Sequence, residues 1–414
     1  MKRKPRIVQL LCLGLIVATN TLGESLRAQR VNVDTMQIVF TNLPSSISNS
    51  AVSGLGEGLE IDSTVREGGN SITSDKPFLL STKLAEGNYH VTVVFGADVA
   101  ASTNTVKAEM RRLMVEQVVV AKGGEVSRSF VVNIRRPEIK GGDKVRLKAR
   151  EKESEMVNWD EKLTLEFNGT QPSVRRLKIS RVDVPTVFIT GDSTVCDQPR
   201  EPWNSWGQML PRFFGPGIAV ANHAQSGESI KSSLGAKRFD KVFSEMKTND
   251  WLFVQFGHND MKDKATNALA VYRTNLKKIV AQTRAKGATP VLVTSMERKR
   301  NPVQDTLGGY PQIVRDVAKE DGVALIDLNA TSKNLYRALG ANLDKAFQDG
   351  THHNNYGSYE LARCVVEGIR TNVPGLAKLL ANDAGNFDPA NPDDPDKFMM
   401  PASSAVDLKK PDGN

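Results

Sequence analysis

The sequence predicts two regions built on different principles, an all-β sandwich over residues 30–183 and a three-layer α/β/α domain over residues 184–380. Three observations predict this. Short alternating runs separated by Gly/Asn/Asp/Pro clusters fill the first stretch, as in a sheet with one buried face. From Val184 the texture changes to wholly apolar runs that alternate with helical patterns, the mark of a parallel sheet with crossover helices. The chain of 414 residues is also longer than one ordinary domain.

Residues 1–28 stand apart. A basic start, Lys2-Arg3-Lys4-Pro5-Arg6, precedes a mostly apolar stretch from Ile7 to Thr19, and Ser25-Leu26-Arg27-Ala28 offers small residues for cleavage. This is the pattern of a secretory signal peptide whose apolar core is too short to span a membrane. The expectation is a secreted or periplasmic protein without a membrane span. The leader holds five basic groups and one acidic one, so the net charge of +8 falls to +4 without it. A nucleic-acid partner loses most of its support. Two cysteines remain, Cys196 and Cys364, and export would permit them to pair.

In the β region, Tyr89, Val91, Val93 and Phe95 alternate with His90, Thr92 and Val94. Similar runs lie at 37–40, 115–120, 129–134, 144–148, 163–167 and 177–182. Basic residues crowd its second half, from Arg135 through Lys148 and Arg150 to Arg181. They make either a solvated polar face or an electropositive surface for a polyanion such as a polyuronate. In the α/β region the strands are expected at 186–190, 218–222, 251–256, 290–295 and 323–328. Helices are expected at 267–286, 310–321 and 356–370. Residues 381–414, rich in Pro and Asp, read as an irregular surface tail.

Gly191-Asp192-Ser193-Thr194 follows the first parallel strand and so presents a hydroxyl at the carboxyl edge, where open α/β sheets bind ligands. A serine hydroxyl needs a base, and the base needs a group to hold its tautomer. Asp349 and His352, three apart after the fifth strand, supply both as one unit. Acyl transfer also needs donors for the developing oxyanion. The Ser193 amide, the bare N–H of Gly227 after the second strand and the Asn259 side chain after the third can supply them.

Gly191-Asp192-Ser193, Gly227, Gly257-x-Asn259-Asp260 and Asp349-x-x-His352 resemble the four blocks of the SGNH (GDSL-type) hydrolase superfamily, in order. Ser193-Thr194-Val195, Trp206-Gly207-Gln208 and Asp349-Gly350-Thr351-His352 resemble its rhamnogalacturonan acetylesterase branch, carbohydrate esterase family 12. The likeness covers residues 184–370, and the β region resembles the galactose-binding-like sandwich that precedes the esterase in some members. The resemblance implies a flavodoxin-like sheet, metal-free serine catalysis without a cofactor, and an acetylated pectic polysaccharide as substrate. It makes Ser193 the nucleophile, His352 the base and Asp349 its partner, with Ser193 N–H, Gly227 N–H and Asn259 as the oxyanion hole.

Substrate contacts are expected from Trp203 and Trp206 as sugar-stacking walls, from His258 and His353 as pocket walls, and from Arg298 and Arg300 toward a substrate carboxylate. Asp192 is expected to brace its turn, and His223 is equally a core residue or a site residue. An esterase on xylan or another acetylated glycan, or a lipase or thioesterase on the same scaffold, stays open. So do a metal-dependent phosphoesterase and a carbohydrate-binding protein without activity. The phosphoesterase lacks Asp-x-His at the first strand, and Gly-His-Asn-Asp reverses the Gly-Asn-His-Asp order such enzymes use. Oligomeric state is not legible.

Overall fold

The computed structural model describes residues 26–32, 35–40, 59–61, 66–67, 70–300 and 305–412. The expected leader lies outside the described residues as far as residue 25; its last three residues, Leu26–Ala28, open a strand that runs to Asn32.

The first region packs two antiparallel sheets face to face. One contains Leu26–Asn32, Thr35–Phe40, Arg66–Glu67, Ile72–Thr73, Gly87–Phe95, Val126–Ile134 and Ser173–Val182. The other contains Leu59–Ile61, Phe78–Lys83, Ser102–Ala108, Arg112–Val120 and Lys162–Asn168. The expected alternation is realised where Tyr89, Val91, Val93 and Phe95 turn inward to meet Leu80, Val106, Leu165 and Phe167 of the facing sheet. The run expected at 144–148 departs from this. Only Asp143–Lys144 pairs, with Glu138–Ile139, and the chain then leaves the sheets for a 3₁₀ turn at Ala149–Lys152.

The second region is a five-stranded parallel sheet: β1 (Thr186–Gly191), β2 (Ala219–Asn222), β3 (Trp251–Gln255), β4 (Thr289–Val293) and β5 (Ala324–Ile326). Its order is β2-β1-β3-β4-β5. Alternate side chains of each strand enter separate cores because both faces are covered. Val187, Ile189, Phe253 and Val293 meet Trp206, Leu335 and Leu361 on one side. Phe188, Leu252, Val254 and Leu292 meet Phe239, Leu276 and Val314 on the other. Helices Ala268–Ala285, Tyr310–Glu320 and Asn355–Asn372 lie within two residues of their expected ends.

The order reverses at β1, which has β2 on one side and β3 on the other. In such sheets the ligand crevice opens beyond the carboxyl ends of the strands at that switch. Ser193 follows β1, and Gly257–Asp260 follows β3. Residues 381–412 form no helix or strand and run over the surface. Their last part crosses the carboxyl edge, from Asp407, whose carbonyl accepts Trp203 Nε1 at 2.9 Å, to Asp412, which meets Arg150 at 2.6 Å. No helix among the described residues is long and apolar enough to cross a membrane.

Candidate active site

Gly191 ends β1 where a side chain has no room: an added Cβ would lie 2.6 Å from Val195 Cγ2 and 2.7 Å from the Gln255 carbonyl. The next residue closes the turn. The Asp192 carbonyl accepts Val195 N and Cys196 N at 3.0 Å, and its Oδ1 accepts the Thr194 amide at 2.9 Å and hydroxyl at 2.7 Å. Asp192 therefore braces the turn, as expected, and the turn holds Ser193 at the edge of the sheet.

Ser193 Oγ lies 2.9 Å from His352 Nε2, and His352 Nδ1 lies 2.8 Å from Asp349 Oδ2. The second carboxylate oxygen accepts the backbone N–H groups of Thr351 at 2.6 Å and His352 at 2.7 Å. This pattern assigns the proton to Nδ1, which donates to the carboxylate and leaves Nε2 to accept from the serine hydroxyl. Burial alone would raise the Asp349 carboxyl. The His352 side chain and the two amides outweigh it and hold the group well below the usual carboxylate range. The carboxylate stays charged as an imidazolium forms beside it. Trp203 packs edge-on against the His352 ring, with centroids 5.7 Å apart at 88°.

The loops that carry the three expected oxyanion donors are tied to one another by hydrogen bonds. Gln225 N donates to the Gly191 carbonyl at 3.1 Å, tying the loop after β2 to the serine turn. Gly227, at φ +75°, adopts a left-handed conformation that favours glycine. Asn259 Nδ2 donates one hydrogen to the Glu228 carbonyl at 3.1 Å, and Lys262 Nζ donates to Asn259 Oδ1 at 2.9 Å. The amide orientation assigned by that network leaves a second N–H for a ligand. Lys262 was not among the expected site residues; its one sequence signal is its spacing, three residues beyond Asn259 in the 3₁₀ turn Asp260–Lys262.

Several expected substrate contacts lie elsewhere. Trp206 is fully buried in the core and donates its indole N–H to Gln255 Oε1 at 2.8 Å, so neither face is open to a sugar. His353 points into the same core, 2.9 Å from the Tyr336 hydroxyl and with its ring 4.0 Å from that of Phe347. Burial, then the neighbouring histidines, push its pKa down to about 3. His258 is buried behind the serine turn, with Nδ1 3.4 Å from Asp192 Oδ2. Each apolar or amphipathic ring gains more from the core than from an open cleft. Trp203 remains beside the site but is itself buried and edge-on. Arg298 and Arg300 stay on the carboxyl edge, where Lys299 N bonds the Gly350 carbonyl at 3.0 Å; Arg298 is half-buried and Arg300 exposed.

His223 is a core residue, packed near Trp159 and Phe188 and kept neutral by burial and by Arg135. Cys196 and Cys364 are both free and buried. The basic run of the β region is largely paired or buried rather than an open positive face: Arg175 meets Asp98, Arg176 meets Glu125 and Lys144 meets Glu138.

The model of the GDSL-like lipase/acylhydrolase family matches residues 189–358, which span the serine turn and the Asp349–His352 pair. The rhamnogalacturonan acetylesterase RhgT of Bacillus subtilis is 36% identical over 205 residues, 44% of this chain and 88% of that protein. The probable rhamnogalacturonan acetylesterase YesY of the same organism is 30% identical over 201 residues, 44% of this chain and 92% of that protein. The crystal structure of Bacillus subtilis YxiM aligns with 79% of this chain and 92% of its own, at 21% identity and a TM-score of 0.45. Because the two sequence relatives RhgT and YesY, at 36% and 30% identity, are covered over 88% and 92% of their own length, the chain belongs to the GDSL (SGNH) lipase/acylhydrolase family and is a carboxylic ester hydrolase.

Proposed function

We propose that this protein is a carbohydrate O-acetylesterase that removes acetyl groups from plant cell-wall polysaccharide, with rhamnogalacturonan as the substrate. The observation that carries the reading is the hydrogen-bonded series Asp349–His352–Ser193 beside Gly227 and Asn259. His352 takes the Ser193 proton as the serine oxygen attacks the acetyl carbonyl. The oxyanion rests on Ser193 N–H, Gly227 N–H and Asn259. The sugar hydroxyl leaves with the proton from His352, and water then releases acetate from the acetyl-serine by the same steps.

A pectic substrate is supported by the names of the two Bacillus relatives and by charge at the entrance. Lys262 beside Asn259 feels the positive fields of Arg298 and Lys410, and Lys410 lies 3.7 Å from Asp349. A cluster of cations suits a polymer of uronic acids better than the apolar chain of a lipid. Export to the periplasm or medium, directed by residues 1–28, belongs to the same reading.

Ser193→Ala is expected to abolish turnover of an aryl acetate while the fold is retained; residual turnover near the parent rate would reject Ser193 as nucleophile. Acetate release across a panel of acetylated rhamnogalacturonan, homogalacturonan and xylan tests the substrate. A preference for xylan would move the assignment to that glycan.

A further inference from the structure

Among the contacts between the two regions, one set falls on the loop that carries Gly227 and converges on a single peptide unit. Lys148 Nζ donates to the Ser226 carbonyl at 2.7 Å, and Arg150 Nη2 donates to the same oxygen at 2.6 Å. Both residues belong to the segment that leaves the β region around the 3₁₀ turn Ala149–Lys152. The Ser226 carbonyl and the Gly227 N–H are the two ends of one planar trans unit and point in opposite directions. Donors that fix the oxygen therefore also aim the N–H.

Glycine makes this aim necessary. With no Cβ, Gly227 tolerates both signs of φ, so the unit before it can turn over at little steric cost. The residue that offers an unobstructed N–H is also the one least able to keep it in place. Hydrogen bonds to the carbonyl from two long side chains remove that freedom.

The backbone that carries those side chains is itself held. Glu151, between them, is buried and accepts both Arg238 Nη1 at 3.0 Å and Nη2 at 2.6 Å, Trp159 Nε1 at 3.1 Å and the Lys148 amide at 2.8 Å. The preceding peptide is gripped from the same segment: Ser226 N donates to Gln225 Oε1 at 2.6 Å, and Gln225 Nε2 donates to Glu155 Oε2 at 2.7 Å. Charge is not the main effect. Glu228 lies 3.0 Å from Lys148, while Glu155 at 3.3 Å and Asp412 at 2.6 Å flank Arg150. Five groups carrying two positive and three negative charges leave little positive field to stabilise an oxyanion at longer range. Direct hydrogen bonds to the carbonyl still orient the unit and polarise its N–H.

We propose that Lys148 and Arg150 are positioning residues of the oxyanion hole, lent by the β region to hold the Ser226–Gly227 peptide so that Gly227 N–H faces the reacting carbonyl. The inference rests on the reading of Gly227 as an oxyanion donor. It gives the β region a part in the chemical step that needs no contact with the glycan.

The test compares Lys148→Met, Arg150→Met and the double variant of the full chain on an aryl acetate. Each single change is expected to lower kcat about tenfold, and the pair about a hundredfold, approaching the loss of one oxyanion donor. KM should stay within about a factor of two, because the interaction strengthens only in the transition state. Affinity for a boronic acid, which forms a tetrahedral anion on the serine, should fall by the same factor as kcat/KM. Lys148→Arg and Arg150→Lys should restore most of the rate. Lys144→Met, on the same segment and paired with Glu138, should match the parent.

A double variant with the parent's kcat would overturn the proposal, as would a loss of rate without a matching loss of boronate affinity. The Lys148 side chain is 32% exposed, so Lys148→Met carries the test alone if the double variant does not fold. If Ser193→Ala abolishes turnover but the Lys148 and Arg150 variants keep theirs, the hydrolase reading stands and only this inference fails.

Discussion

The parallel-sheet region and its junction with the β region hold together by opposite means. The five parallel strands carry no charged side chain, and nearly all their residues are buried. Their stability comes from apolar surface removed from water on both faces. The junction instead buries charge. Arg112 bonds Asp197 at 2.7 Å, Arg111 meets Glu201 at 2.6 Å, and Arg238 meets Glu151 at 2.6 Å, all nearly shielded from solvent. Buried ion pairs add little net stability over apolar packing, but breaking one leaves a costly unpaired charge. The difference teaches a division of labour: apolar layers raise the sheet, and directional polar contacts fix how the β region sits against it.

The largest expected effect tests that division directly. Arg112→Met leaves Asp197 charged and buried, and orphans the contacts of Arg112 to Asn133 O and Asn158 Oδ1. A loss of about 3–5 kcal/mol is expected in urea unfolding, as for other broken buried pairs. Adding Asp197→Leu should recover part of it, because the lone charge is gone. An unchanged midpoint in the single variant would mean that the junction is held by packing after all.

A smaller effect is confined to the catalytic edge. Asn259→Ala should lower kcat about a hundredfold to a thousandfold, as when other oxyanion donors are removed. The unfolding midpoint should hardly move, since Asn259 is half-buried and its bonds to Glu228 and Lys262 lie at the surface of the cleft. Equal losses in rate and stability would blur the contrast between the edge and the sheet beneath it.

How far the sequence reveals each part follows the same contrast. The parallel strands and the serine, aspartate and histidine blocks were legible because apolar runs, tight turns and motif spacing are local signals. Gly191 and Gly227 show this well: each occupies a place where a side chain is excluded or the backbone is left-handed. Trp206, His353 and His258 were misplaced because an amphipathic ring near a motif looks the same whether it lines the cleft or packs beneath it. Lys148 and Arg150 were read as part of a basic run, since nothing local says that they reach a carbonyl 78 and 76 residues away. Long-range polar contacts leave no period in the sequence.

The smallest expected effect compares two buried histidines, one in each setting. His353 sits in the apolar core of the parallel-sheet region, and burial is the main cause holding its pKa near 3. His223 sits at the junction, where burial and then Arg135, Lys241, Arg112 and Arg238 drive its pKa well below the ordinary value. Both are neutral when folded and take up a proton on unfolding once the pH drops below about 6.5. The unfolded state then binds more protons, so each histidine lowers stability as the pH falls from there toward its folded pKa. His353→Gln and His223→Gln remove this penalty. The stability of each variant relative to the parent should therefore rise as the pH is lowered from 7 to 5, by at most about 1.4 kcal/mol per pH unit. Differential unfolding in urea at several pH values reads that slope separately from any constant offset due to lost packing. At the junction, where His223 is surrounded by arginines, a flat slope would mean that water or a counter-ion reaches the ring.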